Sequence, residues 1–275
     1  KVVLALVAAG EASGTLDEAL KRVATQKEKD AAMLSKVRGA MIYPAIVLFV
    51  IIAVMLFMLF TVVPQVEKLY KDMNKVLPTL TEIMITVANF LINYWYIVLI
   101  VLFIAGYFLR QYIRTSAGRK TFDTIKLNLP LFKDMFRRLY TARFTRTGQT
   151  LLWTGVAMLD MMRISSESVY NVVISEEIVR ARVIVKGGKA LSVALKSEEY
   201  ILPMVPQMIK IGEQSGKIDE MLGKTAQVYE DELDEEIRTI STAIEPVLMV
   251  VMAIFAGGMV AAILFPIYNL VGGIQ

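Results

Sequence analysis

Residues 10–20 read GEASGTLDEAL, and residues 212–222 read GEQSGKIDEML. A shift of 202 positions lays the first stretch on the second without a gap. The same shift pairs Leu20 with Leu222, Ala24 with Ala226 and Lys36 with Arg238. Farther on it pairs Pro44 with Pro246 and Pro64 with Pro266. A register held over this distance marks an internal repeat. The repeated unit is a soluble helical segment running into a long apolar helix. Within the motif, Gly10 or Gly212 is expected to stop one helix in a left-handed C-cap. Ser13 and Ser215, or Thr15 with Glu18 as a capping box, are expected to start the next. Asp17 and Asp219 then stand in a first turn, where the helix dipole favours negative charge. Glu11 and Glu213 carry two readings: part of a tight corner between helices, or a contact to a partner.

The apolar part of the unit decides the fold class. Hydrophobic residues make up 56% of the chain and mean hydropathy is +0.54, where soluble domains hold about 45–50% apolar residues. The excess falls in three uncharged stretches, 39–66, 83–109 and 246–275. Each exceeds the ~20 residues an α-helix needs to cross a bilayer. The expected fold is an all-α polytopic membrane protein, with three transmembrane helices and repeated cytoplasmic helical bundles. Residues 1–39 are the end of a first soluble domain, 40–63 the first span and 64–82 an outer loop. The second span is 83–109, the second soluble domain 110–245, the third span 246–268 and the external tail 269–275. About a hundred residues precede the motif in the second domain and nine in the first. Most of the first domain is therefore expected to lie outside this sequence.

Lys and Arg crowd residues 1–38 and 110–138, whereas the loop between the first two spans has Lys68, Lys71 and Lys75. The positive-inside rule puts the N-terminus and both soluble segments in the cytoplasm, and three spans put the C-terminus outside. Pro130, Pro203 and the Gly187–Gly188 pair are expected to punctuate the helices. Leu151, Leu152, Val156 and Leu159 recur at helical spacing, as do Val228, Leu233, Ile237, Ile240 and Ile244.

Composition excludes much chemistry. Without cysteine there is no disulfide or thiolate metal site. Without histidine the commonest general base and metal ligand are missing. No cofactor and no metal site are expected. Lys186-Gly187-Gly188-Lys189-Ala190 fails as a phosphate loop, since Val183 and Ala190 occupy positions that need Gly and Ser or Thr. A membrane serine protease would have only a Ser–Lys pair from Ser13 or Ser215. A transporter subunit, the alternative reading, would place ionisable groups at mid-membrane, and the spans hold only Asn89, Asn93 and the marginal Glu245. The net charge of +4 sits beside the spans, which suits membrane lipid rather than nucleic acid.

The doubled G-E-x-S-G-x-[LI]-D-E-x-L, each copy followed by a proline-opened apolar helix, resembles the type II secretion system protein F family. Its motif positions are Gly10, Glu11, Ser13, Gly14 and Asp17, and again Gly212, Glu213, Ser215, Gly216 and Asp219. The helix from Phe144 to Val156, the Gly188–Leu195 element and Leu202–Pro203 are similar to further family elements. Tyr43–Pro44 and Glu245–Pro246 resemble the pairs that open the family's first and last spans. The resemblance implies a non-enzymatic platform protein in the bacterial inner membrane, serving type IV pilus or type II secretion assembly. The implied partners are a cytoplasmic hexameric ATPase, pilin or pseudopilin subunits, other inner-membrane assembly proteins and further copies of the chain as a homo-oligomer.

Four features stay open at this level. Glu245 is either an interfacial group reaching water or a buried contact that registers span three. Ala253, Gly257 and Ala261, with Gly258 alongside, allow close helix packing within the chain or between protomers. Tyr94, Trp95 and Tyr96 resemble an interfacial aromatic belt. The acidic run from Glu230 to Glu236 is either a solvated helix face or a dock for a basic ATPase surface.

Overall fold

The computed structural model describes residues 2–13, 16–72 and 79–272. Gly14 and Thr15, part of the loop that follows the first span, and the last three residues lie outside the described residues. Every regular element described is an α-helix, and the chain is all-α. In order these are α1 (Val2–Ser13), α2 (Leu16–Asp72), α3 (Thr79–Arg114), α4 (Ser116–Asn128), α5 (Lys133–Trp153), α6 (Met158–Ser168), α7 (Val172–Lys186), α8 (Leu191–Lys196), α9 (Met204–Ser215) and α10 (Ile218–Gly272). Helices α2, α3 and α10 are long and apolar enough to cross a membrane. The chain divides into two units: residues 1–40 with 112–240, and residues 41–111 with 241–275.

The first unit is a helical bundle around α5. That helix looks too polar for a core, yet Thr141, Thr145, Thr147 and Thr150 are buried on it beside Leu139, Phe144 and Leu151. Thr145 and Thr150 are compatible with burial because their hydroxyls bond the preceding turn, and the Thr147 hydroxyl accepts from the Gln26 amide at 2.8 Å. Thr145 donates to the Thr141 carbonyl at 2.9 Å, and Thr150 to the Arg146 carbonyl at 3.0 Å. Gly148 lets α10 come close, for a Cβ there would stand 3.2 Å from Leu222 and 3.3 Å from the Met161 sulfur. A Cβ on Gly223 would likewise fall on the Gln149 amide. Met161, Met162, Ile174, Ile178, Leu195, Val205, Ile209 and Leu233 complete the core.

The helical spacing from Leu151 to Leu159 does not continue as one helix. Helix α5 ends at Trp153, and Gly155 turns the chain at φ 81° before α6 begins. Gly187 ends α7, Gly188 follows at φ 89°, Pro130 separates α4 from α5, and Pro203 caps α9.

The second unit is membrane-like. Leu59, Ile85 and Ala88, flanked by Met55 and Leu91, form a small buried cluster. Around them large apolar side chains stand exposed, among them Phe49, Phe103 and Ile254. Such a surface is stable against lipid or against the apolar face of a partner. The prolines act differently from the sequence expectation. Pro44 and Pro64, read as the start and end of the first span, both lie inside α2, which continues to Asp72. Pro246 likewise lies inside α10. Membrane helices tolerate internal proline where neighbouring groups can re-satisfy the backbone. In α3, Tyr94 departs from helical geometry at φ −121°, ψ 19°.

Candidate functional site: a helix corner and an ion-pair seam

The motif of residues 212–220 forms the corner between α9 and α10. Gly212 does not end a helix; α9 runs through it to Ser215. The left-handed cap is Gly216, at φ 71°, and the Lys217 N–H bonds the Gly212 carbonyl at 2.9 Å. Gly212 is needed for space instead. A Cβ there would stand 2.7 Å from the Ile218 Cα, as α10 doubles back against it. Ser215 does not cap the next helix either: its hydroxyl donates back to the Ile211 carbonyl at 2.8 Å. Asp219 stands in the first turn of α10, and Asp17 in that of α2. In the first copy α1 also runs through Gly10, to Ser13, and Glu11 is exposed.

Glu213 has a definite task within the chain. Its carboxylate accepts from the Ser192 N–H at 3.1 Å and from the Ser192 hydroxyl. Helix α8 is six residues long and its own N-cap, Ala190, offers no side-chain bond. Glu213 supplies that cap from another helix. Two further carboxylates do similar work. Asp123 accepts from Val172 N–H at 2.9 Å, at the start of α7. Glu177, nearly fully buried, accepts from the N–H groups of Glu199 and Tyr200 at 3.1 Å each. Burial pushes the Glu177 carboxyl above the ordinary carboxylate range, helped by Glu198 and opposed by those N–H bonds and Arg180. Sequence reasoning missed Asp123 and Glu177, because no motif surrounds either.

The acidic run of α10 is largely engaged inside the bundle. Arg146 holds Glu230 with two bonds, at 2.7 and 2.8 Å, and both side chains are 12% exposed. Arg138 bonds Glu232 at 2.9 Å and Glu236 at 2.7 Å. Lys29 reaches Glu230 at 3.3 Å, and Lys36 pairs with Asp234. The pairing order makes α5 antiparallel to α10 along this seam and α2 parallel to it. Lys29–Glu230 and Lys36–Asp234 are separated by 201 and 198 positions, close to the repeat offset. The two copies thus lie side by side in nearly the same register. The run is therefore neither a wholly solvated face nor a free acidic dock; Asp231 and Glu235 are its exposed members. A signal was present: Arg138 and Arg146 are eight apart, and Glu230 and Asp234 four apart, each spacing returning to one helix face.

The remaining expected positions stand apart from this seam. Tyr43 is exposed on α2, with Pro44 beside it in the chain, and Glu245 and Pro246 are exposed on α10. Ala253, Gly257, Gly258 and Ala261 are exposed, with nothing within 4 Å of a Cβ on either glycine. Among the described residues no group of three or more Asp or Glu is placed to hold a metal.

The profile of the family described as type II secretion system (T2SS), protein F, matches residues 1–64 and 144–266. The two matched segments end at 64 and 266, the repeat offset again. The chain is 36% identical over 269 residues to a type IV pilus assembly protein PilC from Thermus thermophilus, covering 97% of this chain and 66% of that protein. It is 36% identical over 271 residues to a PilC from Myxococcus xanthus, covering 98% of this chain and 65% of that protein. A type II secretion system protein F from Xanthomonas campestris pv. campestris is 34% identical over 274 residues, covering 100% of this chain and 68% of that protein. The chain spans about two thirds of the length of these relatives. With a duplicated motif, three membrane-length helices and matches over both copies, the chain belongs to the type II secretion system protein F family.

Proposed function

We propose that this chain is a non-enzymatic platform protein of the bacterial inner membrane. It couples a cytoplasmic hexameric ATPase to the assembly of pilin or pseudopilin subunits, in a type IV pilus or type II secretion machine. The observation that carries this reading is the doubled motif ahead of a membrane-length helix, in a chain whose relatives are named for pilus assembly and for secretion. In this reading the N-terminus and the bundle face the cytoplasm, as the distribution of Lys and Arg favours, and the C-terminus is external. The platform works with other inner-membrane assembly proteins and as a homo-oligomer.

The test is a pull-down from membranes of cells expressing the tagged chain, read by mass spectrometry, beside piliation and secretion in a deletion strain. The expected result is co-purification of a secretion-type ATPase with pilin-like subunits, and loss of fibres or of secretion on deletion. Isolation of the chain alone, with both phenotypes intact and a solute flux abolished, would replace this reading with transport.

A further inference from the structure

Helix α4 is amphipathic on both sides. One edge, through Asp123 and Leu127, is buried in the bundle. The opposite edge carries Phe122, Ile125 and Leu129 at helical spacing, and they are 42%, 51% and 42% exposed. Leu131 extends this stripe. It is 46% exposed and held at φ 77°, a left-handed backbone that is costly for a leucine.

The surroundings say what covers the stripe. Residues 110–133 contain six cations, Arg110, Arg114, Arg119, Lys120, Lys126 and Lys133, and one acid, Asp123. Asp123 is buried and turned inward to Val172. Lys120 pairs with Glu176 and Lys126 with Asp123. Arg110, Arg114, Arg119 and Lys133 have no carboxylate partner among the described residues. Lys126 also lies over the Phe122 ring, 4.6 Å from its centroid. The stripe is tethered to a membrane span. Helix α3 stays helical from Leu109, its last apolar residue before the charges, to Arg114, a rise of about 8 Å. Thr115 alone separates α3 from α4. An apolar helix face rimmed by Lys and Arg, a few residues from a span, has the composition of an interfacial membrane helix. Its cations match the anionic headgroups that attract basic juxtamembrane segments.

We propose that α4 and the turn at residues 129–132 lie on the anionic surface of the bilayer. Phe122, Ile125, Leu129 and Leu131 reach the boundary between headgroups and acyl chains, and Arg114 and Arg119 lie among the phosphates. The element anchors the bundle by a lipid contact additional to the spans, and it does not depend on the platform reading above.

The chain has no cysteine, so single labelling sites are simple to install. Ile125→Cys and Leu129→Cys, each carrying an environment-sensitive fluorophore, are compared with Val183→Cys, which is 68% exposed on α7. The full chain is placed in nanodiscs of phosphatidylcholine alone or with about one-third phosphatidylglycerol. Such discs offer both faces, so the outcome is independent of orientation in the cell. The expected result in anionic discs is a blue-shifted label at 125 and 129, quenched by doxyl-labelled lipid several-fold more than at 183. Quenching should fall in phosphatidylcholine discs and in the Arg114→Gln, Arg119→Gln double variant. Labels at 125 and 129 as water-exposed and unquenched as at 183 would overturn the proposal. So would equal quenching in both lipids. A blue shift without lipid quenching that grows with copies per disc would assign the face to a second copy of the chain instead.

Discussion

Phe144 in the bundle is fully buried, whereas Phe103 on α3 is 78% exposed. The same residue type does opposite work in the two units. In the bundle, burial of apolar surface from water drives packing, and buried polar groups such as Asp123, Thr145 and Glu177 are held by backbone partners. In the membrane unit the apolar surface faces outward, and within one chain the buried cluster centres on Leu59, Ile85 and Ala88. The bundle is specified by its interior and the membrane unit by its exterior.

The sharpest way to break this comparison is to truncate both phenylalanines. Phe144→Ala should cost about 3–5 kcal/mol, the range for a buried aromatic, and should lower the thermal midpoint of the detergent-solubilised chain strongly. Phe103→Ala should change it little. Equal losses would mean that α3 packs tightly against something other than lipid.

Arg146→Ala should follow. It leaves Glu230 buried with a weak Lys29 contact, and about 2 kcal/mol is expected for a carboxylate so stranded. Arg146→Lys should recover only part, since an ammonium cannot reproduce the two-point contact. Limited proteolysis of the bundle would report both.

Glycines give the next contrast. Gly212→Ala drives a Cβ into the Ile218 backbone and should destabilise by about 1–3 kcal/mol, as overpacking does. Gly257→Ala meets nothing within 4 Å, and its intrinsic helix preference favours alanine by about 1 kcal/mol. A thermal midpoint lowered by Gly257→Ala would show that a neighbouring protomer closes on that face.

The smallest effect concerns pH. Burial raises the Glu177 carboxyl above its ordinary value, so between the two values the folded chain holds a proton that the unfolded chain has lost. The stability contributed by this group therefore falls as pH rises through that interval. Glu177→Gln keeps an oxygen for the loop N–H groups and removes the titration. Its midpoint should stay within about 1 kcal/mol of the parent and should vary less from mildly acidic to neutral pH.

The spans and the repeat were legible because they are written in long, uninterrupted patterns. Details that depend on a neighbour were not. In GEQSG two glycines compete for the left-handed position. Only the return of α10 against Gly212 leaves that role to Gly216. Pro44 and Pro64 read as boundaries because proline starts and stops helices in water; inside a membrane-length helix they are carried through. The acidic run looked available because its partners lie about 90 residues away on α5 and about 200 away on α2. Glu213 was visible as a motif residue, but its partner Ser192 belongs to another helix.

The internal prolines have a mechanical consequence. Pro44 has no N–H to offer the carbonyl of Ala40, and Pro246 none to offer that of Thr242. Ala40 and Ile240 are also where the two bundle segments end. Pro44 in α2 and Pro246 in α10 thus each remove a rung at matching positions of the repeat, and Pro64 removes a second from α2. A helix bends more readily at a missing rung, yet still transmits force along its axis. The two copies of the repeat therefore carry matched flexures, compliant to tilt and stiff to push or pull.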